Sequence, residues 1–260
     1  MTGIVTTNPH IHTTERVNRT MQYVLLALAP PVVLSVYYFG LQAFLVILVS
    51  VTSAVFFEVA FQMLTGKPIT AYDCSAVITG LLLAMTLPPN IPLWLPVAGT
   101  FVAIVIVKQL FGGLGRNFLN PALAGRAFLT LAFTPYMALG FMQPMVDTTT
   151  GATPLMVLSM GAMPEAADYT AALIGNISGS IGETGALALL VGGLFLIKTK
   201  VITWHIPAAF IGTVFALTMF FQGETAIYQL LLGGIMLGAF FMATDYPTSP
   251  VTPPGKSFSE

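Results

Sequence analysis

The chain has 260 residues, of which 56% are hydrophobic and only 7% are charged, and its formal net charge is −1. Soluble domains carry about 25% charged residues, so lipid must cover much of this surface. The near-neutral charge excludes a nucleic-acid-binding role. The single cysteine, Cys74, excludes an internal disulfide and a cysteine-ligated cluster. We therefore predict an integral membrane protein.

The first apolar segment follows a polar stretch, residues 1–22, which contains Arg16 and Arg19. A secretory signal has an apolar core of about 7–15 residues before a cleavage site of small residues. The apolar run here is longer and leads directly into another. We interpret it as a retained first span.

Eight apolar segments are candidates for membrane spans, since a span needs about 20 mostly apolar residues. Two of them, 75–88 and 184–197, are short, which favours discontinuous helices that stop within the membrane and are covered by protein. The predicted fold is an all-α membrane bundle, with five spans in residues 23–139 and three in residues 184–243. In chain order the segments are 23–39, 42–64, 75–88, 92–111, 122–139, 184–197, 203–221 and 224–243.

The basic residues predict the orientation of these spans. With a cytoplasmic N-terminus, residues 140–183 form a long extracytoplasmic segment and residues 244–260 a cytoplasmic tail. A connection that is too small for its own core is more often functional than idle. All basic residues then fall on the cytoplasmic side, as the positive-inside rule requires: Arg16, Arg19, Lys67, Lys108, Arg116, Arg126, Lys198, Lys200 and Lys256.

The outer segment contains a threonine-rich stretch that begins at Asp147 and ends at Pro154. Gly151 permits unusual backbone angles, and Pro154 disfavours helix at the residue before it. From local physics alone this stretch is a solvated turn, and nothing more follows.

The same stretch resembles the flavinylation motif Asp-x-x-Ser/Thr-Gly-Ala-Thr, with matching spacing from Asp147 to Thr150, Gly151, Ala152 and Thr153. In families that carry this motif, a flavin transferase links FMN through its phosphate to the last threonine. The resemblance implies that this residue is Thr153. The transferase acts on the outer side of the membrane, where the charges independently place this loop.

A wider resemblance covers almost the whole chain, from about Asn8 onward. The stretches Gly-Arg-Asn-Phe-Leu-Asn-Pro-Ala at 115–122 and Met-Ala-Thr-Asp-Tyr-Pro at 242–247, together with the loop, resemble the RnfD family of the Rnf complex. Its relative is NqrB of the sodium-pumping NADH:quinone reductase, which is usually longer at the N-terminus. Family members usually continue through about two further spans, so we expect this chain to be a portion of such a protein.

This resemblance implies a subunit of an ion-translocating ferredoxin:NAD⁺ oxidoreductase, not catalytic alone, in a bacterial or archaeal cytoplasmic membrane. It implies covalent FMN, non-covalent riboflavin, transport of Na⁺ or H⁺, and assembly with the other Rnf subunits, RnfA, RnfB, RnfC, RnfE and RnfG. It also implies a fold similar to urea transporters, with two homologous halves. The alternative is a small-solute channel or transporter of that fold without a redox cofactor, which would not need the outward-facing motif.

Three carboxylates are candidates for an ion path, because ionisable groups in or beside spans are functional suspects. Glu58 lies in the second span and is the deepest of them. Asp73 and Asp245 lie at the inner ends of the third and eighth spans, each beside small hydroxyl residues. Alternatively, Asp73 and Asp245 cap helices or pair with Lys67 or Lys256.

Asn117 and Asn120 are candidates for a flavin-proximal half-helix. Asn120 followed by Pro121 predicts a helix start, with the asparagine as the cap and the proline in the first turn. Such an N-terminus within the membrane would favour a flavin phosphate or ring oxygen, whereas at the surface it would be a simple cap. Water channels carry Asn-Pro-Ala twice, and its single occurrence here argues against that class.

Several glycines in the second half of the chain predict close contacts between helices, since a missing side chain lets two backbones approach. They are Gly192, Gly193, Gly233, Gly234 and Gly238.

Overall fold

The structure, a computed structural model, describes residues 14–141, 144–145, 153–160, 169–183, 185–232 and 234–245. Within these ranges the elements are all helical, as the hydropathy pattern predicts. Asp147, Thr150, Gly151, Ala152 and Gly233, which the sequence singled out, lie outside the described residues.

Helix α1 runs from Thr14 to Leu64 and is bent at Gly40. Gly40 has φ 63° and ψ −146°, a conformation that glycine adopts without steric cost and that interrupts helical geometry. Each arm has roughly 25 residues and is therefore roughly 37 Å long at 1.5 Å per residue. The two arms correspond to the first two predicted spans.

The next two helices are short or irregular. Helix α2, Ser75–Met85, follows a single 3₁₀ turn at Ala71–Asp73 and is almost wholly buried. Helix α3, Trp94–Phe101, continues as a π-helical segment, Val102–Gln109, whose wider turns are frequent at functional sites.

Helix α4, Pro121–Ala132, is followed by α5, Thr134–Leu139. The outer segment contributes two one-to-two-turn helices, α6 at Pro154–Ser159 and α7 at Tyr169–Ile174. It is therefore partly helical near Thr153 rather than an irregular turn throughout.

The last third begins with α8, Ala186–Lys198, and α9, His205–Gln222. The eighth predicted span is not one helix. A 3₁₀ turn leads into α10, Ala226–Leu231, which ends where Leu232 is extended, and α11, Ile235–Leu237, then continues as a π-helical segment, Gly238–Met242. The apolar run conceals this break because Gly234 and Leu232 interrupt the helix without changing the hydropathy.

The main core lies between α1, α2, α4, α8 and the final π-helical segment. Gly192 and Gly193 confirm the predicted close approach, since an added Cβ would collide with Ala27 O and with the Phe240 ring, respectively. Gly234 and Gly238 differ from that prediction. An added Cβ would have no neighbour closer than 3.6 Å at Gly234 or 3.8 Å at Gly238, and both residues line a cavity instead.

By length and composition, one described helix is long and apolar enough to cross a membrane, the stretch 18–64 of α1. Four shorter apolar helices accompany it, and they lie at Ser75–Met85, Trp94–Gln109, Ala186–Lys198 and His205–Phe221.

Candidate functional sites

A buried ion pair joins Glu58 of α1 to Lys108 at the end of the first π-helical segment. The Lys108 Nζ lies 2.7 Å from Glu58 Oε2, and the two side chains are only 2% and 1% exposed. Charges at such depth are costly unless they are paired and hydrogen-bonded. The stability of the fold therefore depends on keeping Glu58 and Lys108 paired, and the pair is also a candidate functional group.

Three further donors saturate the Glu58 carboxylate. Gln109 Nε2 lies 3.1 Å, Gln62 Nε2 3.3 Å and Thr70 Oγ1 3.4 Å from Glu58 Oε1. A bare cation could reach this carboxylate only by displacing some of these contacts. Glu58 therefore serves first as the counter-ion of Lys108.

Ser75 extends this network towards Asp73. Lys108 Nζ donates to Ser75 Oγ at 2.6 Å, and Ser75 Oγ donates to Asp73 Oδ1 at 2.5 Å. Asp73 Oδ1 also accepts from the Ser75 backbone N–H at 2.8 Å. Asp73 thus hydrogen-bonds the first residue of α2 from the position before the N-cap, which is Cys74, and the same contacts connect Asp73 to the ion pair.

Asp245 and Lys108 both line a cavity of about 100 Å³, which we call the inner cavity. Its Oδ2 lies 3.5 Å from Asn117 Nδ2. Burial raises the pKa of the Asp245 carboxyl, while the Asn117 hydrogen bond and the positive charge of Lys108 lower it. The polar residues that line the inner cavity are Thr20, Ser75, Thr79, Lys108, Asn117, Asn120, Thr244 and Asp245.

Asn120 is the cap that its sequence context predicts. Its Oδ1 accepts from the backbone N–H groups of Ala122 and Leu123 at 3.0 and 3.3 Å, and Pro121 is the first residue of α4. Its Nδ2 donates to Met242 O at 3.2 Å, which joins α4 to the second π-helical segment. Asn117 Nδ2 also donates to Leu119 O at 3.0 Å.

The structure thus brings Glu58, Asp73, Asp245, Asn117 and Asn120 into one region. Sequence reasoning missed Lys108 and Gln109 as members of it, whereas Ser75 is one of the hydroxyl residues that it placed beside Asp73. One signal was available: Lys108 lies inside the predicted span 92–111, which continues beyond Gln109 with Leu110 and Phe111.

Thr153, the predicted flavin attachment residue, lies apart from this region at the start of α6. Its backbone is extended, with φ −62° and ψ 148°, and its Oγ1 accepts from Met156 N–H at 3.3 Å. Thr153 lines a cavity of about 130 Å³, which we call the Thr153 cavity, together with Arg126, Ser178, Gly179 and Glu183.

Arg126 of α4 is the basic side chain among the described residues that line the Thr153 cavity. Its Nη2 lies 3.6 Å from Glu183 Oε1, and Glu183 Oε2 accepts from the Ser180 backbone N–H at 3.1 Å. The Arg126 side chain is 36% exposed, so the guanidinium is available to an anion that enters from the Thr153 side.

A larger cavity of about 360 Å³ adjoins it and shares Arg126 and Glu183 as lining residues. We call this the Ser180 cavity, because the Ser180 side chain, 1% exposed, lines it and its Oγ has no hydrogen-bond partner among the described residues. Its walls are otherwise Thr86, Leu123, Phe210, Gly234, Ile235, Leu237, Gly238, Met242 and Ala243.

The positions of Lys108 and Arg126 correct the charge count made from the sequence. Lys108 is buried within the bundle, and Arg126 shares a cavity with Thr153, which was predicted to lie on the opposite side of the membrane. The positive-inside rule counts charges in loops near the span ends. The predicted orientation therefore rests on the remaining basic residues.

Comparison with known proteins gives a consistent result along the whole chain. The family described as NQR2, RnfD, RnfE matches residues 4–259. The chain is 47% identical to the D subunit of the Na⁺-translocating ferredoxin:NAD⁺ oxidoreductase complex of Acetobacterium woodii, over 97% of this chain and 80% of that protein.

Two further relatives carry related names. The D subunit of the proton-translocating ferredoxin:NAD⁺ oxidoreductase complex of Clostridium ljungdahlii is 42% identical, over 97% of this chain and 81% of that protein. The D subunit of the ion-translocating oxidoreductase complex of Rhodobacter capsulatus is 39% identical, over 95% of this chain and 80% of that protein. The resemblance noted in the motifs is thereby confirmed, and the chain belongs to the NQR2, RnfD, RnfE family.

Proposed function

We propose that this chain is the D-type membrane subunit of an ion-translocating ferredoxin:NAD⁺ oxidoreductase, passing electrons through flavin in a redox-driven Na⁺ or H⁺ pump. The observation that carries the proposal is 47% identity, across 97% of the chain, to a protein named as that subunit. The chain would act within an assembly with RnfA, RnfB, RnfC, RnfE and RnfG rather than alone. Family membership favours this function over a solute channel without a cofactor.

The proposed setting is a bacterial or archaeal cytoplasmic membrane crossed by eight segments, with residues 140–183 outside. Each of the eight predicted apolar segments contains helix, and the two arms of α1 are each long enough to span a bilayer about 30 Å thick. The short α2 and α8 and the broken segment after α9 suit a urea-transporter-like arrangement, in which half-helices meet within the membrane.

The proposed cofactor is FMN, joined through its phosphate to Thr153 Oγ1 by a flavin transferase. The residues near Thr153 fit this group, because Arg126 lines the same cavity and supplies a positive charge for the phosphate. Asp147, Thr150, Gly151 and Ala152 would form the sequence that the transferase recognises. When bound, FMN would supply one- and two-electron transfer, and the protein would place it and tune its surroundings.

Riboflavin, the second flavin that the resemblance implies, does not fit the inner cavity beside Asn117 and Asn120. Its volume of about 100 Å³ is below the ~300–1,000 Å³ typical of ligand sites. Both asparagine side chains are also already engaged with backbone groups. We therefore derive no riboflavin contact from these residues.

The proposed ion path includes Glu58, Asp73 and Asp245, with Lys108 between them. Lys108 contacts Glu58 directly and Asp73 through Ser75, and its charge acts on Asp245. The fixed ammonium offsets one of the three carboxylate charges and so reduces the number of cations that the region can hold. Relatives at 47% and 42% identity are named for Na⁺ and for protons, respectively, so identity to them does not decide which ion moves.

Peptide mass spectrometry of the purified chain, made in a host that contains the flavin transferase, tests the cofactor assignment. We expect an FMN adduct on the peptide containing Thr153 and in-gel flavin fluorescence, with both lost in Thr153→Ala. Thr130→Ala, at an exposed position of α4, is the matched control and should keep the adduct. An unmodified Thr153, with the transferase active on a control substrate, would refute the assignment.

A further inference from the structure

The Ser180 cavity and the Thr153 cavity are neighbours with a common wall. Arg126 and Glu183 line both, and among the described residues they are the two charged ones that line either cavity. A group attached at Thr153 is therefore close to Arg126 and Glu183, and the larger Ser180 cavity lies next to these two residues. The larger space, about 360 Å³, falls within the ~300–1,000 Å³ range of ligand sites.

The Ser180 hydroxyl indicates that something polar belongs in this space. Ser180 is 1% exposed, and its Oγ has no hydrogen-bond partner in the part of the chain that the structure describes. Leaving a buried hydroxyl unpaired is unfavourable, because the group has given up its hydrogen bonds to water. A ligand with a polar edge would remove that cost, because a hydroxyl both donates and accepts.

The other walls favour a flat, largely apolar body. Leu123, Phe210, Ile235, Leu237 and Met242 supply apolar surface. Gly234 and Gly238 supply no side chains at all, which leaves room beside the backbone. A bare metal cation is disfavoured because the Arg126 guanidinium stands at the same wall.

We propose that the Ser180 cavity receives the isoalloxazine ring of the flavin carried by Thr153, with the Ser180 hydroxyl bonded to the polar edge of the ring and Arg126 between ring and phosphate. This inference rests on the proposed function. The ribityl chain separates the ring from the phosphate, so ring and phosphate would occupy the two neighbouring cavities. Ser180 is then a positioning and tuning residue for the cofactor.

The first test uses Ser180→Ala in the purified, flavin-loaded chain. The adduct should remain on the Thr153 peptide, while the visible absorption bands shift. The ratio of reduced to oxidised flavin at a fixed potential should change by up to about tenfold, because the ratio reports how much more strongly the hydroxyl bonds one redox state than the other. Ser53→Ala removes a half-buried hydroxyl in α1 that contacts Thr100 rather than this cavity, and it should leave spectrum and ratio unchanged.

The second test fills the cavity from a different wall. Gly234→Leu should displace the ring into solvent and increase flavin fluorescence without loss of the adduct, because Gly234 does not line the Thr153 cavity. Gly212→Leu is the matched control, since an added Cβ there has no neighbour within 4 Å.

The outcomes separate the inference from the proposed function. If the unaltered chain carries no adduct on Thr153, the proposed function fails, and the inference fails with it. If the adduct is present but both cavity variants keep the spectrum, the reduced-to-oxidised ratio and the fluorescence of the unaltered chain, the ring lies elsewhere. That result would overturn the inference and leave the FMN assignment intact. A shift in either variant, absent from its control, supports the ring position.

Discussion

Breaking the Glu58–Lys108 pair should destabilise this protein more than removing any exposed charge. The perturbation is Lys108→Met, which keeps an unbranched side chain one atom shorter than lysine but leaves a carboxylate that is 1% exposed without its counter-ion. Removing one partner of a buried pair costs about 3–5 kcal/mol. For a chain of this size each kcal/mol corresponds to about 2–4 °C, so the melting temperature should fall by roughly 6–20 °C.

The assay is a thermal unfolding scan in detergent, with Glu58→Gln, Lys108→Met and the double variant compared at one pH. Glu58→Gln should also be destabilised, since it leaves the ammonium unpaired. The double variant should recover part of the loss, because a pair of neutral side chains buries no unmatched charge. Lys198→Met, at an exposed position in the last turn of α8, is the control and should change stability by less than about 1 kcal/mol.

Two results would refute this reasoning. One is a single variant that melts within about 2 °C of the unaltered chain, a shift of about 1 kcal/mol or less, which would mean that water or other groups solvate the remaining charge. The other is a double variant whose loss equals the sum of the single losses, which would mean that the two side chains do not interact energetically.

Two further predictions concern Asp245 and Gly192. Burial raises the pKa of Asp245, so the folded protein keeps a proton that the unfolded chain has lost, and stability falls as pH rises through the raised pKa. In melting scans from about pH 4 to 8, the melting temperature of Asp245→Asn should rise relative to that of the unaltered chain as the pH increases. A difference between the two melting temperatures that does not change with pH would contradict this. Gly192→Ala should cost about 1–3 kcal/mol, because its Cβ would meet Ala27 O, whereas Gly212→Ala has open space; equal melting temperatures would contradict it.

Local sequence patterns predicted the all-α membrane-protein class, the helical segments and two individual contacts. Hydropathy identified every apolar segment because lipid-facing helices need apolar side chains along their length. The Asn120 cap and the Asp73 contact with the start of α2 were predictable because each involves residues two or three positions apart. The break at Leu232 was not, since an apolar run has the same hydropathy whether or not the helix is continuous.

The candidate sites depended much more on tertiary packing. Glu58 was recognised as a buried carboxylate, but its partner lies 50 positions away on another helix, and no local pattern pairs them. Arg126 was interpreted as a cytoplasmic charge, yet α4 carries it to the cavity of Thr153. Ser180 was not a candidate, because nothing in the sequence distinguishes one serine in a polar loop; only the structure shows that it is buried and that its Oγ has no hydrogen-bond partner among the described residues.

The sequence by itself therefore determined that this protein lies in a lipid environment and which family it belongs to. Composition and short motifs decide these two points, and both can be read from the residues without knowing how they pack. Only the tertiary structure decided which charges meet and which cavities adjoin. Those relations arise when helices from distant parts of the chain pack together, and buried charges and hydroxyls acquire their roles from the neighbours that this packing supplies.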